Sequence, residues 1–185
     1  VNGYDTGHGD TYELDPADGR VRSILRGTTT EGLAIDGDKL WYASVISAGR
    51  QKLVQIDRAG SVLREVPVTA AVVNDLAIIG SYAYYISNSD TDPIVEVTLA
   101  NGRERKVIEP AVRGRAPYSL GYDGRALIVA DKDPNGNFLL RIDPRSGLIL
   151  AEIRLAIPGW ITALAFDEGF AWEWPRGPGT TVGRP

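Results

Sequence analysis

A repeat constrains this chain more than any other feature. Four segments align: Gly32-Leu33-Ala34-Ile35-Asp36-Gly37, Asp75-Leu76-Ala77-Ile78-Ile79-Gly80, Ser119-Leu120-Gly121-Tyr122-Asp123-Gly124 and Ala163-Leu164-Ala165-Phe166-Asp167-Glu168. Their leucines fall at 33, 76, 120 and 164, so the spacing is 43, 44 and 44 residues. Self-similarity at such a period marks an array of units, each burying its apolar surface against the next. Every segment is followed, at the same offset, by an apolar or aromatic run: Leu40-Trp41-Tyr42-Ala43, Ala83-Tyr84-Tyr85-Ile86, Leu127-Ile128-Val129-Ala130 and Ala171-Trp172-Glu173-Trp174. Two β-rich runs joined by an Asp-Gly or similar turn read as a hairpin.

A second set of segments lies between these. Tyr12-Glu13-Leu14-Asp15, Val54-Gln55-Ile56-Asp57, Val95-Glu96-Val97-Thr98 and Leu140-Arg141-Ile142-Asp143 alternate apolar with polar residues, as half-buried strands do. Each leads to a turn ending in Gly19, Gly60, Gly102 or Gly147, then to a further short strand. No helical apolar period is sustained. Four strands per repeat of this length is the pattern of a β-propeller blade, and the expected fold is an all-β propeller of four-stranded antiparallel blades.

The boundaries follow. Residues 1–185 form a single propeller domain or propeller fragment, with an outer half-blade at 11–25, blades at 32–68, 75–108 and 119–155, and an inner half-blade at 163–174. Residues 1–10 and 175–185 read as loop or terminus, the latter rich in Pro and Gly. Three arrangements satisfy this order. The two half-blades join as a fourth blade and hide the sheet edges, the chain is part of a larger ring, or two copies complete one larger propeller as a homodimer.

Composition narrows the partners. With 24 acidic against 20 basic residues the formal charge is −4, which offers no basic field for a phosphate backbone, so nucleic acid is not an expected partner. No apolar run approaches the ~18 residues that cross a bilayer, so a membrane is not expected either. There is no cysteine, which removes thiolate chemistry and leaves the compartment open. His8 is the only histidine and lies between Gly7 and Gly9, with no G-x-S-x-G elbow to accompany it.

The strings Gly32-Leu33-Ala34-Ile35-Asp36-Gly37-Asp38-Lys39-Leu40-Trp41-Tyr42-Ala43 and Leu140-Arg141-Ile142-Asp143-Pro144-Arg145-Ser146-Gly147 resemble repeats of the NHL, YVTN and gluconolactonase-like propellers. In propellers of this kind the loops that enter the innermost strands share one face with those joining strands two and three, and that face holds the ligand. The equivalent positions here are Glu31, Asn74, Tyr118 and Thr162. Resemblance to the gluconolactonase and senescence-marker family implies a divalent-metal hydrolase, in which a Glu, two Asn and an Asp hold the ion. Glu31 and Asn74 match that set; Tyr118 and Thr162 do not, and Asp75, Asp131 and Asp133 are the other carboxylates considered for the centre. Thr30-Glu31-Gly32-Leu33 and Leu40-Trp41-Tyr42-Ala43-Ser44 also resemble motifs of glutaminyl cyclotransferases, with Glu31 and Ala43 replacing that family's Gln and acidic residue.

Three further groups are candidates. Asp131-Lys132-Asp133-Pro134-Asn135-Gly136 satisfies the opening of a calcium loop, whose alternate oxygens suit a hard cation, but Leu139 and Ile142 replace its later ligands. Asp131, Asp133 and Asn135 therefore join Glu31 and Asn74 as candidate ligands for calcium or another divalent ion, set against the reading of the same residues as a hairpin turn. Arg113, Arg115 and Tyr118 sit in the stretch 109–119, read as a loop long enough to act as a lid or to contact an anion. Trp160, after Pro158-Gly159, stands where an aromatic wall would meet a ligand. The first expectation is a binding propeller recognising a small molecule or peptide; the alternatives are a calcium-dependent lactonase-type hydrolase and a glutaminyl-cyclotransferase-like enzyme.

Overall fold

The computed structural model describes residues 2–3, 10–14, 17–25, 32–47, 50–70, 72–87, 93–108, 116–133, 136–156, 160–167 and 170–176. In parts of several strands, 132–133, 160–163 and 170–176 among them, the description extends to the backbone alone. Every described element is a strand. A three-stranded sheet holds β1 (Asn2–Gly3), β2 (Asp10–Leu14) and β3 (Val21–Leu25). Three four-stranded sheets follow. The first is β4 (Leu33–Asp36), β5 (Lys39–Ser47), β6 (Arg50–Ile56) and β7 (Val62–Val68). The second is β8 (Val73–Ile79), β9 (Tyr82–Ser87), β10 (Ile94–Thr98) and β11 (Arg103–Ile108). The third is β12 (Ala116–Tyr122), β13 (Leu127–Asp133), β14 (Gly136–Ile142) and β15 (Ile149–Leu155). The two-stranded sheet β16 (Trp160–Asp167) and β17 (Phe170–Arg176) completes the set. Pairing is antiparallel between consecutive strands throughout, so each sheet is the meander expected of a blade.

The repeated aspartates and glycines are turn formers. Asp57 Oδ1 accepts the N–H groups of Ala59 and Ser61, and Asp143 Oδ1 accepts those of Arg145 and Ser146. Both turns close on a glycine of positive φ, Gly60 and Gly147. The motif that carries the family resemblance thus performs backbone duties in this chain.

The second blade is buried on both faces, each against a different neighbour. One core cluster joins the first two blades through Trp41, Leu53, Val66, Leu76, Tyr85 and Val97. A second joins the next pair through Ala77, Tyr84, Ile86, Leu120, Val129 and Leu140. Residues 76 and 77 therefore point to opposite neighbours, and the period of two serves two interfaces rather than one core and one solvent face. Inner strands lie side by side, β4 against β8, β8 against β12 and β12 against β16. Farther out, Glu104 of β11 accepts hydrogen bonds from the Thr69 N–H at 2.7 Å, the Tyr85 hydroxyl at 3.1 Å and the Thr69 hydroxyl, tying the second blade to the chain leaving the first.

Three sequence expectations change. The inner strands begin at 73, 116 and 160 rather than at 75, 119 and 163, because the ladder continues past a register slip in each. Pro175 and Arg176 belong to β17, where Pro175 faces Ile161; an edge strand tolerates a residue without an N–H. Asn2, Gly3 and Asp10 are also strand residues, Asn2 facing Thr11 and Gly3 facing Asp10. On that side β2 is occupied by β1, and the half-blades β2–β3 and β16–β17 lie in separate sheets among the described residues.

Leu120 is 2% exposed within the second cluster, so Leu120→Ala is expected to cost about 2–5 kcal/mol in denaturant unfolding. Ile35→Ala, at a position 73% exposed on an inner strand, should shift stability by less than about 0.5 kcal/mol.

Candidate functional site

The three inner strands that reach residues 74, 118 and 162 share an irregularity. In β8 the register slips between Val73 and Asp75, in β12 between Pro117 and Ser119, and in β16 between Ile161 and Leu164. The Cα register passes over Asn74 and Tyr118 at the first two slips, and Thr162 lies within the third. A bulge of this kind bends the strand and re-aims a side chain. These positions are therefore strand residues at equivalent bulges, not members of the preceding loops, and Tyr118 leaves the 109–119 loop for β12.

Asn74 is held on both sides by neighbouring blades. The N–H of Val73 donates to Gln51 Oε1 at 2.8 Å, an amide supplied by β6 of the first blade. On the other side, Asp75 reaches the third blade: its Oδ2 accepts the Ser119 hydroxyl at 2.8 Å and the Leu120 N–H at 2.9 Å. Oδ1 accepts the Leu76 N–H at 2.9 Å. Among the described residues no hydrogen bond engages the Asn74 side-chain amide. The result is a backbone position held on both sides by bonds that its neighbours make.

Asp75 occupies the column Gly32, Asp75, Ser119, Ala163, otherwise made of small residues. Gly32 explains why. A Cβ there would lie 3.1 Å from Asp75 Cα and 3.2 Å from Leu76 N, and the Gly32 φ of +80° disfavours a side chain independently. Inner strands approach too closely at this level for bulk, and the Asp75 carboxylate fits by bridging to the next strand.

Burial pushes the Asp75 pKa from its ordinary 3.8 up to about 6, against the pull of the three hydrogen bonds it accepts from Leu120, Ser119 and Leu76. The unfolded chain releases this proton near 4 and the folded chain near 6. Asp75's contribution to stability is thus full below about pH 4 and is lost as pH rises through 6.

Buried polar residues gather at this leading end of the inner strands. Ser87 faces Val73, and Asp131 faces Pro117 on one side and Phe138 on the other. Gln51 and Asn137 hold equivalent places at the start of their strands and are also buried. The segment read as the opening of a calcium loop is a tight hairpin: Asp133 faces Gly136, Lys132 faces Asn137, and residues 131–133 run extended rather than curling round an ion. Asp131 is a buried strand residue within it. Side chains of Asp133, Trp160 and Thr162 are not described, and Glu31, Arg113, Arg115 and Asn135 lie outside the described residues, as does His8. No group of three or more His, Asp or Glu side chains placed to hold a metal occurs among the described residues.

Asn74 and Tyr118, aligned in the sequence, fall at equivalent bulges, whereas the sequence reading missed Gln51 and the bridging role of Asp75. A carboxylate in a column of small residues was the available signal for Asp75.

No family model matches the chain, and no curated protein matches it in sequence. Solved structures do match in shape. The glutaminyl cyclase of Myxococcus xanthus superposes with a TM-score of 0.64 at 14% identity, over 91% of this chain and 80% of that one. The Cps50 (Swd1) beta-propeller domain of Myceliophteria thermophila matches with a TM-score of 0.57 at 22% identity, over 87% of this chain and 53% of its own. The fold is a β-propeller. A luciferin-regenerating enzyme matches this propeller with a TM-score of 0.61 at 19% identity, over 86% of the chain and 59% of its own length. The propeller described here thus spans little more than half of two of these three relatives, and at such identities the likeness carries the fold alone.

Asp75→Asn is expected to remove a stability loss on the order of 2 kcal/mol that the parent shows between pH 4 and pH 7. Thermal unfolding of both proteins across that range checks this, since the other carboxylates cancel in the difference.

Proposed function

We propose that this propeller is a binding domain and that the bulged, leading end of its inner strands recognises a small molecule or a peptide. The observation that carries the reading is the clamping of Asn74 between Gln51 of one blade and the Asp75–Ser119 bridge to the other. A backbone fixed in this way presents the Asn74 side chain from a defined point, so less backbone ordering is required on association. Tyr118, bulged at the same level of the neighbouring blade, adds an aromatic surface beside it. Trp160 and Thr162 begin the following inner strand at that end, and Glu31 precedes the inner strand of the first blade. Arg113 and Arg115 stand in the stretch before β12 and are the cations the sequence offers there for an anionic group on the ligand.

A metal-dependent hydrolase of the gluconolactonase type is the second reading, favoured by the unengaged Asn74 amide at a position where that family places a ligand. Asp75 is a poor choice for its base, because the carboxylate already accepts three hydrogen bonds. Calcium or another divalent ion would then rest on Asn74 and Glu31.

Both readings are tested by fragment screening with amide chemical shifts as the readout, in EDTA and then in millimolar calcium. The binding reading expects fragments to perturb Asn74, Asp75 and Tyr118 without metal, and expects Asn74→Ala to weaken them about tenfold while unfolding like the parent. Shifts scattered away from these residues would overturn it. A calcium-dependent rise in melting temperature that Glu31→Gln abolishes would move the assignment to the hydrolase.

A further inference from the structure

We propose that a cavity between the second and third blades, at the end opposite the bulges, is a separate binding site for a small carboxylic acid bearing an aromatic or similarly apolar group. The cavity is an open cleft of about 570 Å³, within the size range of small-molecule sites. Ile79, Tyr82, Tyr84, Glu96, Arg105 and Arg145 line it.

Its floor is one row of side chains across three strands. Tyr84 of β9 faces Glu96 of β10, which faces Arg105 of β11. Arg105 grips Glu96 with two bonds, Nε to Oε1 at 3.1 Å and Nη2 to Oε2 at 2.8 Å. The Tyr84 hydroxyl donates to Oε2 at 2.7 Å, with the Pro144 carbonyl 3.3 Å away as a weaker acceptor. Arg105 Nη1 also donates to the carbonyl of Arg145 at 3.2 Å, which ties the β14–β15 turn of the third blade to this floor. The row is particular to the second blade. Equivalent positions hold Trp41, Gln55 and Arg64 in the first blade and Ile128, Arg141 and Ala151 in the third, so the propeller repeat itself does not require it.

The charge balance selects the ligand. Burial would raise the Glu96 pKa, but hydrogen bonds from Arg105 and Tyr84 hold it below the ordinary range, so its charge persists and is matched by Arg105. Among the described lining residues, that pair leaves the Arg145 guanidinium as the charged group without a salt bridge. The Asp143 carboxylate outside the lining feels the Arg145 charge and offsets part of it, while its Oδ1 accepts the N–H groups of Arg145 at 2.9 Å and of Ser146. The Arg145 backbone is thus fixed from two directions while its side chain stays exposed. Beside it, Tyr82 is 42% exposed and Ile79 partly buried, giving an apolar wall against which a ring can lie. A carboxylate paired with Arg145 and a ring laid on Tyr82 satisfy both surfaces at once.

Phenylacetate is the probe, with phenylacetamide as its uncharged counterpart, and amide chemical shifts report position and affinity. Phenylacetate is expected to shift Tyr82, Arg105 and Arg145 in a saturable manner and to bind about tenfold more tightly than the amide. Arg145→Gln, at an exposed position whose backbone bonds persist, is expected to abolish that preference with the melting temperature unchanged. Tyr82→Ser should weaken both probes together. No saturable shift at this cavity up to millimolar phenylacetate, equal binding of acid and amide, or a preference that survives Arg145→Gln would each overturn the proposal.

Discussion

Inner strands that approach one another at backbone distance are the constraint on which the rest of this molecule depends. Gly32 leaves its Cβ position to the backbone of Asp75, and the same column continues in Ser119 and Ala163. Strands this close cannot separate their layers with bulky side chains at that level. β8 and β12 are joined by hydrogen bonds instead, from Ser119 and Leu120 to Asp75, and Val73 of β8 reaches Gln51 of β6 in the blade before. Larger residues, Trp41, Tyr84 and Tyr85, enter on the second strand of each blade, where adjacent sheets have diverged enough to admit them. A wedge-shaped unit follows, narrow inside and broad outside.

The second blade is enclosed on both faces, while outer strands such as β7 and β15 are largely exposed. Many polar groups lie at strand ends, and the two ends differ. Turn aspartates such as Asp57, Asp123 and Asp143 occupy one end and bind their own loops. Gln51, Asp75, Ser87, Asp131 and Asn137 occupy the other, where Gln51 and Asp75 bind across blades. Local bonds make a turn self-sufficient. Bonds across blades make the geometry of one blade depend on the next, which is the property a shared site requires.

Much of the architecture was legible in the sequence because it repeats. The spaced leucines, the apolar runs after them and the I-D-x-x-x-G turns are short-range signals, and the strands they predict are present. Asn74 and Tyr118 were also found by alignment alone. What alignment misplaced was the start of the inner strands, since a bulge breaks the alternation that marks a strand and makes the residues before it read as loop. Gln51 and Asp75 were hidden for another reason. Their partners are 22 and 45 residues away, and no local pattern records a bond between blades.

The recurring bulge also separates two phases of the inner strands that carry it, β8, β12 and β16. Beyond it, the alternation that sends Leu76 to one neighbour and Ala77 to the other is set by the ladder with β9. Before it, the backbone has already absorbed an odd residue and owes nothing to that alternation. Changes in the preceding segment, including changes of length, therefore stop at the slip instead of inverting the faces of the strand behind it. The surface at that end is free to diversify while the packed blade keeps its parity.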